Sequence, residues 1–202
     1  MNNFENHSFA KISTNCRTKQ GQDLYEIGDE KTFTNSLGEK VTLVILDKIV
    51  KPARRLVVGF KHCFNRTFVV QDVLSEKGWK DSALRLETIS EIEKSLPYDL
   101  QNVVKSAVIK TIVKGRLKFT ADKYWLPSYK ELVGHGLDEG EQFEYFKSSN
   151  DYERKTNSDI AVNYLTRTIS PRYGEYVQVT NEGKFKTIKP CENASIFLCF
   201  HI

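Results

Sequence analysis

Asp122-Lys123-Tyr124-Trp125-Leu126-Pro127-Ser128-Tyr129-Lys130-Glu131 reads as a strand that runs straight into a capped helix. Ser128 and Glu131 have the spacing of a capping box, in which hydroxyl and carboxylate each satisfy a free amide of the first helical turn. Gly134 or Gly136 can end that short helix in a left-handed conformation. Beyond it, Phe143, Tyr145 and Phe146 form an aromatic cluster within the acidic segment Asp138 to Glu144, which predicts a second short helix packed on the core.

Working outward toward the N-terminus, Ser106 to Val113 is strand-like, and a hairpin is expected to turn at Lys114-Gly115. Gly78-Trp79-Lys80-Asp81-Ser82 signals a helix start, with Asp81 or Ser82 as the cap and Ile89, Ile92 and Leu96 on one face. Pro97 stops it, and a further turn or two follows from Tyr98-Asp99. Val41 to Leu46 is β-branched and nearly continuous, which suits a strand covered on both faces, and Leu56 to Phe60 reads as its neighbour. Residues 31–33 and the turn chemistry of Asn35 to Lys40 complete a hairpin with it. Residues 1–24 are expected to be an N-terminal extension or an edge strand, and 25–202 a single α+β domain.

Toward the C-terminus the pattern alternates over Tyr176 to Thr180, turns at Asn181-Glu182-Gly183, and alternates again over Lys184 to Ile188. A last strand is expected from Ser195 to Ile202, paired inside the sheet. The fold class is therefore α+β: a mixed, mainly antiparallel sheet with a few short helices.

Composition limits the function. Hydrophobic residues at 40% and charged residues at 28% describe an ordinary globular chain of 202 residues, long enough to bury a core without disulfides. A formal charge of +4 gives no strong field unless it is clustered. Lys105, Lys110, Lys114, Arg116, Lys118 and Lys123 are the most basic stretch, read as the solvated face of a hairpin rather than as a nucleic-acid groove. The first ten residues lack a basic start and an apolar run, and the most apolar segment is far too short to span a bilayer, so a cytoplasmic protein with no membrane contact is expected.

Cys16, Cys63, Cys191 and Cys199 lack close pairing and read as reduced, buried thiols; a zinc set drawn from His62, Cys63, Cys199 and His201 is the competing reading. No cofactor motif is present in the sequence.

Several segments together resemble the domain-of-unknown-function family numbered sixty-two seventy-three, common in Gram-positive bacteria and their phages. They are Ile27-Gly28-Asp29, then Gly78-Trp79-Lys80-Asp81-Ser82-Ala83-Leu84-Arg85, then Tyr124 to Tyr129 with Glu131 and Gly134. Asn150 and Arg154, and Tyr164-Leu165-Thr166-Arg167-Thr168, continue the likeness. The chain departs from the family pattern at Leu86-Glu87-Thr88, at Tyr164 to Thr168, which stands for a tryptophan-rich Leu-Arg-Ser segment, and at Ala194-Ser195-Ile196. The family carries no established activity, so the resemblance implies fold and genetic setting. Its tryptophan-containing turns and closing strand are loosely similar to the C-type-lectin-like fold, which implies a display scaffold.

An enzyme needs a nucleophile or base with an orienting partner, and only His135, His62, Cys63 and the acids near Asp138 offer themselves. The expected function is instead a non-enzymatic protein-binding accessory factor of phage or mobile-element origin, one version being an inhibitor of a CRISPR-type host defence protein. Tyr173, Arg167, Arg172, Tyr164, Arg154, Lys114 and Arg116 are the expected contacts, because aromatic and arginine side chains anchor interfaces. Trp79 and Trp125 read as core anchors, and Arg85 and Arg167 equally suit pairing with buried carboxylates. Alternatives are a small-ligand or carbohydrate-binding module, a hydrolase or transferase using His135 or Cys63, and nucleic-acid binding through the basic hairpin 105–123.

Overall fold

A computed structural model describes residues 2–64, 66–69, 78–149, 151–172 and 174–202. The fold is α+β, with mostly antiparallel sheets and short helices. The first sheet has the order β1-β2-β3-β12-β7, built from β1 (Glu30–Thr34), β2 (Lys40–Ile49), β3 (Arg55–Phe60), β7 (Tyr124–Trp125) and β12 (Cys199–His201), all antiparallel. The β1–β2 hairpin turns where Asn35 to Lys40 predicts it, and Val41 to Leu46 is buried throughout.

The second sheet runs β10-β9-β8-β11-β4, from β4 (Phe68–Val69), β8 (Tyr164–Ile169), β9 (Tyr176–Val179), β10 (Phe185–Ile188) and β11 (Asn193–Ile196). Here β11 lies parallel to β8 while the other pairs are antiparallel. A third, two-stranded sheet is the hairpin of β5 (Ala107–Val113) and β6 (Arg116–Asp122), turning through Lys114 and Gly115, both at positive φ.

The expected single C-terminal strand is two strands in different sheets. Ser195 and Ile196 pair with Tyr164 and Leu165, and Cys199 to His201 then pair with β3 and β7. Phe197 and Leu198 cross between the sheets fully buried. A continuous apolar run can pair in either sheet, so its break was not readable from periodicity.

Residues 1–24 are helical, which removes the edge strand that was one of the two expectations. They form α1 (Asn3–Asn6), α2 (Phe9–Asn15) and α3 (Lys19–Gln22), capped by the side chains of Asn2, Ser8 and Thr18. Phe9, Ile12 and Cys16 recur at helical spacing and are buried in the common core with Phe4. Gln22 donates through its amide to the carbonyls of Ile49 and Arg55, tying these helices to the end of the β2–β3 hairpin.

The segment from Trp79 is wound more irregularly than a single helix. A tight turn at Trp79–Asp81 and a wide turn at Leu84–Thr88 lead into α4 (Ile89–Ser95), after which Pro97 precedes α5 (Tyr98–Val103). The Ser82 hydroxyl accepts from the Arg85 amide at 3.2 Å, the capping contact expected of that position. The remaining helices are α6 (Tyr129–Val133) and α7 (Glu144–Ser149).

Candidate functional site

The Asp122–Glu131 stretch ends β6, passes through β7 and starts α6, and it sets a carboxylate at each end. Asp122 accepts from Trp79 Nε1 at 2.9 Å, from Arg85 Nε at 2.7 Å and from the Thr120 hydroxyl at 2.6 Å. Trp79 and Trp125 are core residues, and Arg85 is the partner of a buried carboxylate.

Glu131 completes the capping box: the Ser128 hydroxyl accepts from the Glu131 amide at 3.0 Å, and the Glu131 carboxylate accepts from the Ser128 amide at 2.9 Å. The same carboxylate receives the Arg167 fork, Nη1 to Oε2 at 2.6 Å and Nη2 to Oε1 at 2.7 Å. Arg167 also donates to the carbonyls of Leu126 at 2.7 Å and Lys110 at 3.2 Å, and to that of Glu139. Gly134 ends α6 at φ 84°, the left-handed stop that glycine permits.

Glu139 is the next carboxylate. It accepts from the Ile112 amide at 2.7 Å and from the Thr168 hydroxyl, and Thr168 in turn accepts from the Tyr129 amide at 2.8 Å. Burial pushes the Glu139 carboxyl above its ordinary range, with the Thr168 and Ile112 hydrogen bonds and the Arg167 charge opposing it. The polar network therefore locks α6, β8 and β5 together.

Over Thr168 opens a cleft of about 450 Å³. Tyr129, at the start of α6, and Leu137 form one side; Ser170 and Pro171 follow β8; Val177 of β9 and Phe185 and Thr187 of β10 supply the sheet side. The Tyr129 and Phe185 rings meet edge to face with centroids 4.8 Å apart. Gly136, at φ 111°, allows close approach, since a Cβ there would lie 3.0 Å from the Tyr129 ring. The lining contains no carboxylate. An arrangement of apolar walls, aromatic edges and a few hydroxyls, with Lys186 as its one charged side chain, is suited to holding an apolar group out of water.

The expected contact residues separate into three places. Arg172 is exposed, next in sequence to the cleft-lining Pro171, while Tyr173 lies outside the described residues. Lys114 and Arg116 are exposed at the tip of the β5–β6 hairpin. The other three lie in the interior, and Arg167 takes the alternative of pairing with a buried carboxylate. Arg167 is held by Glu131; Tyr164 is fully buried, donating to the Tyr152 carbonyl at 3.0 Å; and Arg154 lies over the rings of Phe146 and Phe197 at 5.1 and 5.0 Å. Isolated residue type does not distinguish an interface arginine from one that neutralises an interior carboxylate or covers an aromatic cluster.

The catalytic candidates stand apart. His135 is exposed with its ring 5.4 Å from that of Tyr129. Cys63 is buried, which pushes its thiol up to about 12. Burial and the Lys61 charge lower the His62 imidazole. Among the described residues no group of three or more His, Cys, Asp or Glu side chains is placed to hold a metal ion. No helix among them is long and apolar enough to cross a membrane.

The sequence reading missed Phe185 and Glu139 as site components. Phe185 sits in an alternating strand, but alternation alone does not say which face meets Tyr129. Glu139 carries no local signal at all: it sits among acids that look solvated, and only the tertiary fold brings Thr168 to it.

Residues 40–199 match the model of a domain of unknown function, DUF6273. The chain belongs to this family. No curated protein and no solved structure shows a significant match. The DUF6273 match takes in the cleft, the Asp122 and Glu131 centres and the β5–β6 hairpin, and leaves α1 to α3 and β1 outside it.

Proposed function

We propose that this DUF6273 chain is a non-enzymatic protein-binding accessory factor that takes an apolar side chain of its partner into the Tyr129–Phe185 cleft. The observation that carries the reading is the cleft itself, an apolar recess of about 450 Å³ held by the Arg167–Glu131–Glu139 network. Preformed recesses held by rigid elements are where interface anchors seat. Lys186 in the lining adds a cation. Support for a non-enzymatic role comes from the dispersal of His135 and Cys63, neither of which meets a base or an orienting carboxylate in the described structure.

The setting proposed with it is the cytoplasm of a Gram-positive bacterium, with the gene belonging to a phage or mobile element. Its most specific form is an inhibitor that docks on a CRISPR-type defence complex. Failure to recover any defence complex from infected cells would count against that form alone.

The test is affinity purification of the tagged chain from its native host lysate, at high salt and after nuclease treatment, beside a Thr187→Phe variant that fills the cleft. A stoichiometric protein partner that survives both treatments and is lost with Thr187→Phe is expected. A partner indifferent to Thr187→Phe, or none, removes the reading. A small-ligand or carbohydrate-binding role is the second reading, favoured by the cleft's size. It gains if a ligand, rather than a protein, is displaced by the same substitution.

A further inference from the structure

Arg154 is 7% exposed, and its Nε and Nη2 have no hydrogen-bond partner in the described structure. Nη1 donates to the Glu153 carbonyl at 2.7 Å. The rings of Phe197, Phe146 and Tyr145, at 5.0, 5.1 and 5.9 Å, favour the charge but supply no oxygen to those two donors. Arg85 and Arg167 show the contrast, since each meets a carboxylate at 2.7 Å or 2.6 Å. Nε and Nη2 share one edge of the guanidinium, the two-donor fork that takes both oxygens of a single carboxylate. The backbone beside that fork is fixed: the Arg154 carbonyl accepts from the Val162 amide at 3.1 Å, and the Lys155 carbonyl from the Cys63 amide at 2.9 Å. A buried pair of donors calls for an acceptor.

Arg154 lines a cavity of about 190 Å³ that is shared by β2, the residues after β3, α7 and residues 151–155. His62 is in the same wall, and its Nδ1 is likewise buried without a partner. The charges around the cavity select its ligand. Lys61 is paired with Glu30 at 2.7 Å and Lys155 with Asp159 at 2.9 Å, so both are already compensated. Arg154 is then the cation that a ligand meets. Asp151 and Glu153, both exposed, line the cavity as well. Asp151 accepts from the Glu153 amide at 3.2 Å, and a carboxylate has lone pairs for further donors. Phosphate carries negative charge on every side and would be set against these two acids. A carboxylate with an ammonium beside it satisfies both signs of charge. Val44 and Tyr145 add an apolar wall, and the volume is below the roughly 300–1,000 Å³ of sites for larger ligands. We infer that the cavity beside Arg154 binds a small zwitterion, a free α-amino acid, with its carboxylate on the Nε–Nη2 edge and its ammonium toward Asp151 and Glu153. This site is separate from the Tyr129–Phe185 cleft and does not rest on the protein-binding reading.

The experiment titrates the full chain by calorimetry with alanine and valine. Propionate, alaninamide and inorganic phosphate are the controls, lacking the ammonium, the carboxylate or both. Saturable binding of at least one amino acid is expected, roughly tenfold or more tighter than any control. Arg154→Lys keeps the charge but loses the fork, and should weaken amino-acid binding roughly tenfold or more. Arg154 also covers aromatic rings, so a second variant guards against loss of folding. Glu153→Gln lies at an exposed position and should keep the parent melting temperature. It should lower amino-acid affinity severalfold and leave propionate unchanged. Thr187→Phe, in the cleft, should leave amino-acid binding as in the parent, so the two sites fail separately. Four results overturn the inference: no saturable binding of either amino acid, alaninamide or phosphate binding as tightly, indifference to Glu153→Gln, or loss of binding in Thr187→Phe.

Discussion

The Arg167 guanidinium and the Glu131 carboxylate meet fork to fork in the protein interior, Nη1 to Oε2 at 2.6 Å and Nη2 to Oε1 at 2.7 Å. Glu131 is thus shared between the cap of α6 and a strand of the second sheet, and the cleft wall that begins at Tyr129 depends on both. Removing one partner leaves the other charged and buried. Arg167→Met or Glu131→Leu alone should therefore cost about 3–5 kcal/mol, while the pair together should cost much less than the sum. Urea denaturation of the two singles and the double measures this; additive losses would mean that the ion pair does not couple them.

Asp122 should behave as a second, independent centre. Asp122→Ala strands Trp79 Nε1, Arg85 Nε and the Thr120 hydroxyl, and unsatisfied buried donors of this kind make a loss of about 3 kcal/mol the expected result. Trp79 is buried, so its fluorescence should shift to the red in the same variant. A parent-like emission maximum with parent-like stability would show that the three donors find other partners.

Local chemistry was the legible part of this fold. The Ser128–Glu131 box, the left-handed Gly134 and the Lys114-Gly115 turn are each set by residues within one turn of one another, and the structure has each where the sequence places it. Long-range pairing was not legible. The Phe9, Ile12 and Cys16 spacing was present in residues 1–24, but short capped helices carry too little periodicity to stand out. The C-terminal run changes sheets at Phe197 and Leu198 with no change in residue type. The cleft needed Tyr129, Thr168 and Phe185 from three distant segments; Tyr129 and Thr168 lie in segments that carry the family likeness, but nothing local brings either to Phe185.

Glu139 gives the stability a pH dependence of defined sign. Its folded carboxyl is raised by burial, so the protonated form is favoured on folding. Its contribution is full below the ordinary carboxyl value and is lost as pH rises through the raised one. Glu139→Gln removes this titration, so unfolding midpoints followed upward from pH 4 should fall less steeply in the variant than in the parent. Parallel curves would place the dependence on other groups.

Gly59 should prove a packing glycine rather than a conformational one. Its φ is not in the left-handed region, so alanine is allowed by the backbone, but a Cβ would lie 2.7 Å from Leu46 Cδ1 and 2.9 Å from Phe197 Cε2 and Cζ. Phe197 is the residue that crosses between the two sheets, so it has little room to retreat without disturbing β11 or β12. Gly59→Ala should cost about 1–3 kcal/mol through overpacking. Leu46 is the neighbour that can be shortened without touching the crossover. Leu46→Val should therefore recover part of the loss in Gly59→Ala while destabilising the parent. A thermal denaturation cycle over the four proteins reads the coupling, and simple additivity would mean that the strain is taken up at Phe197 instead.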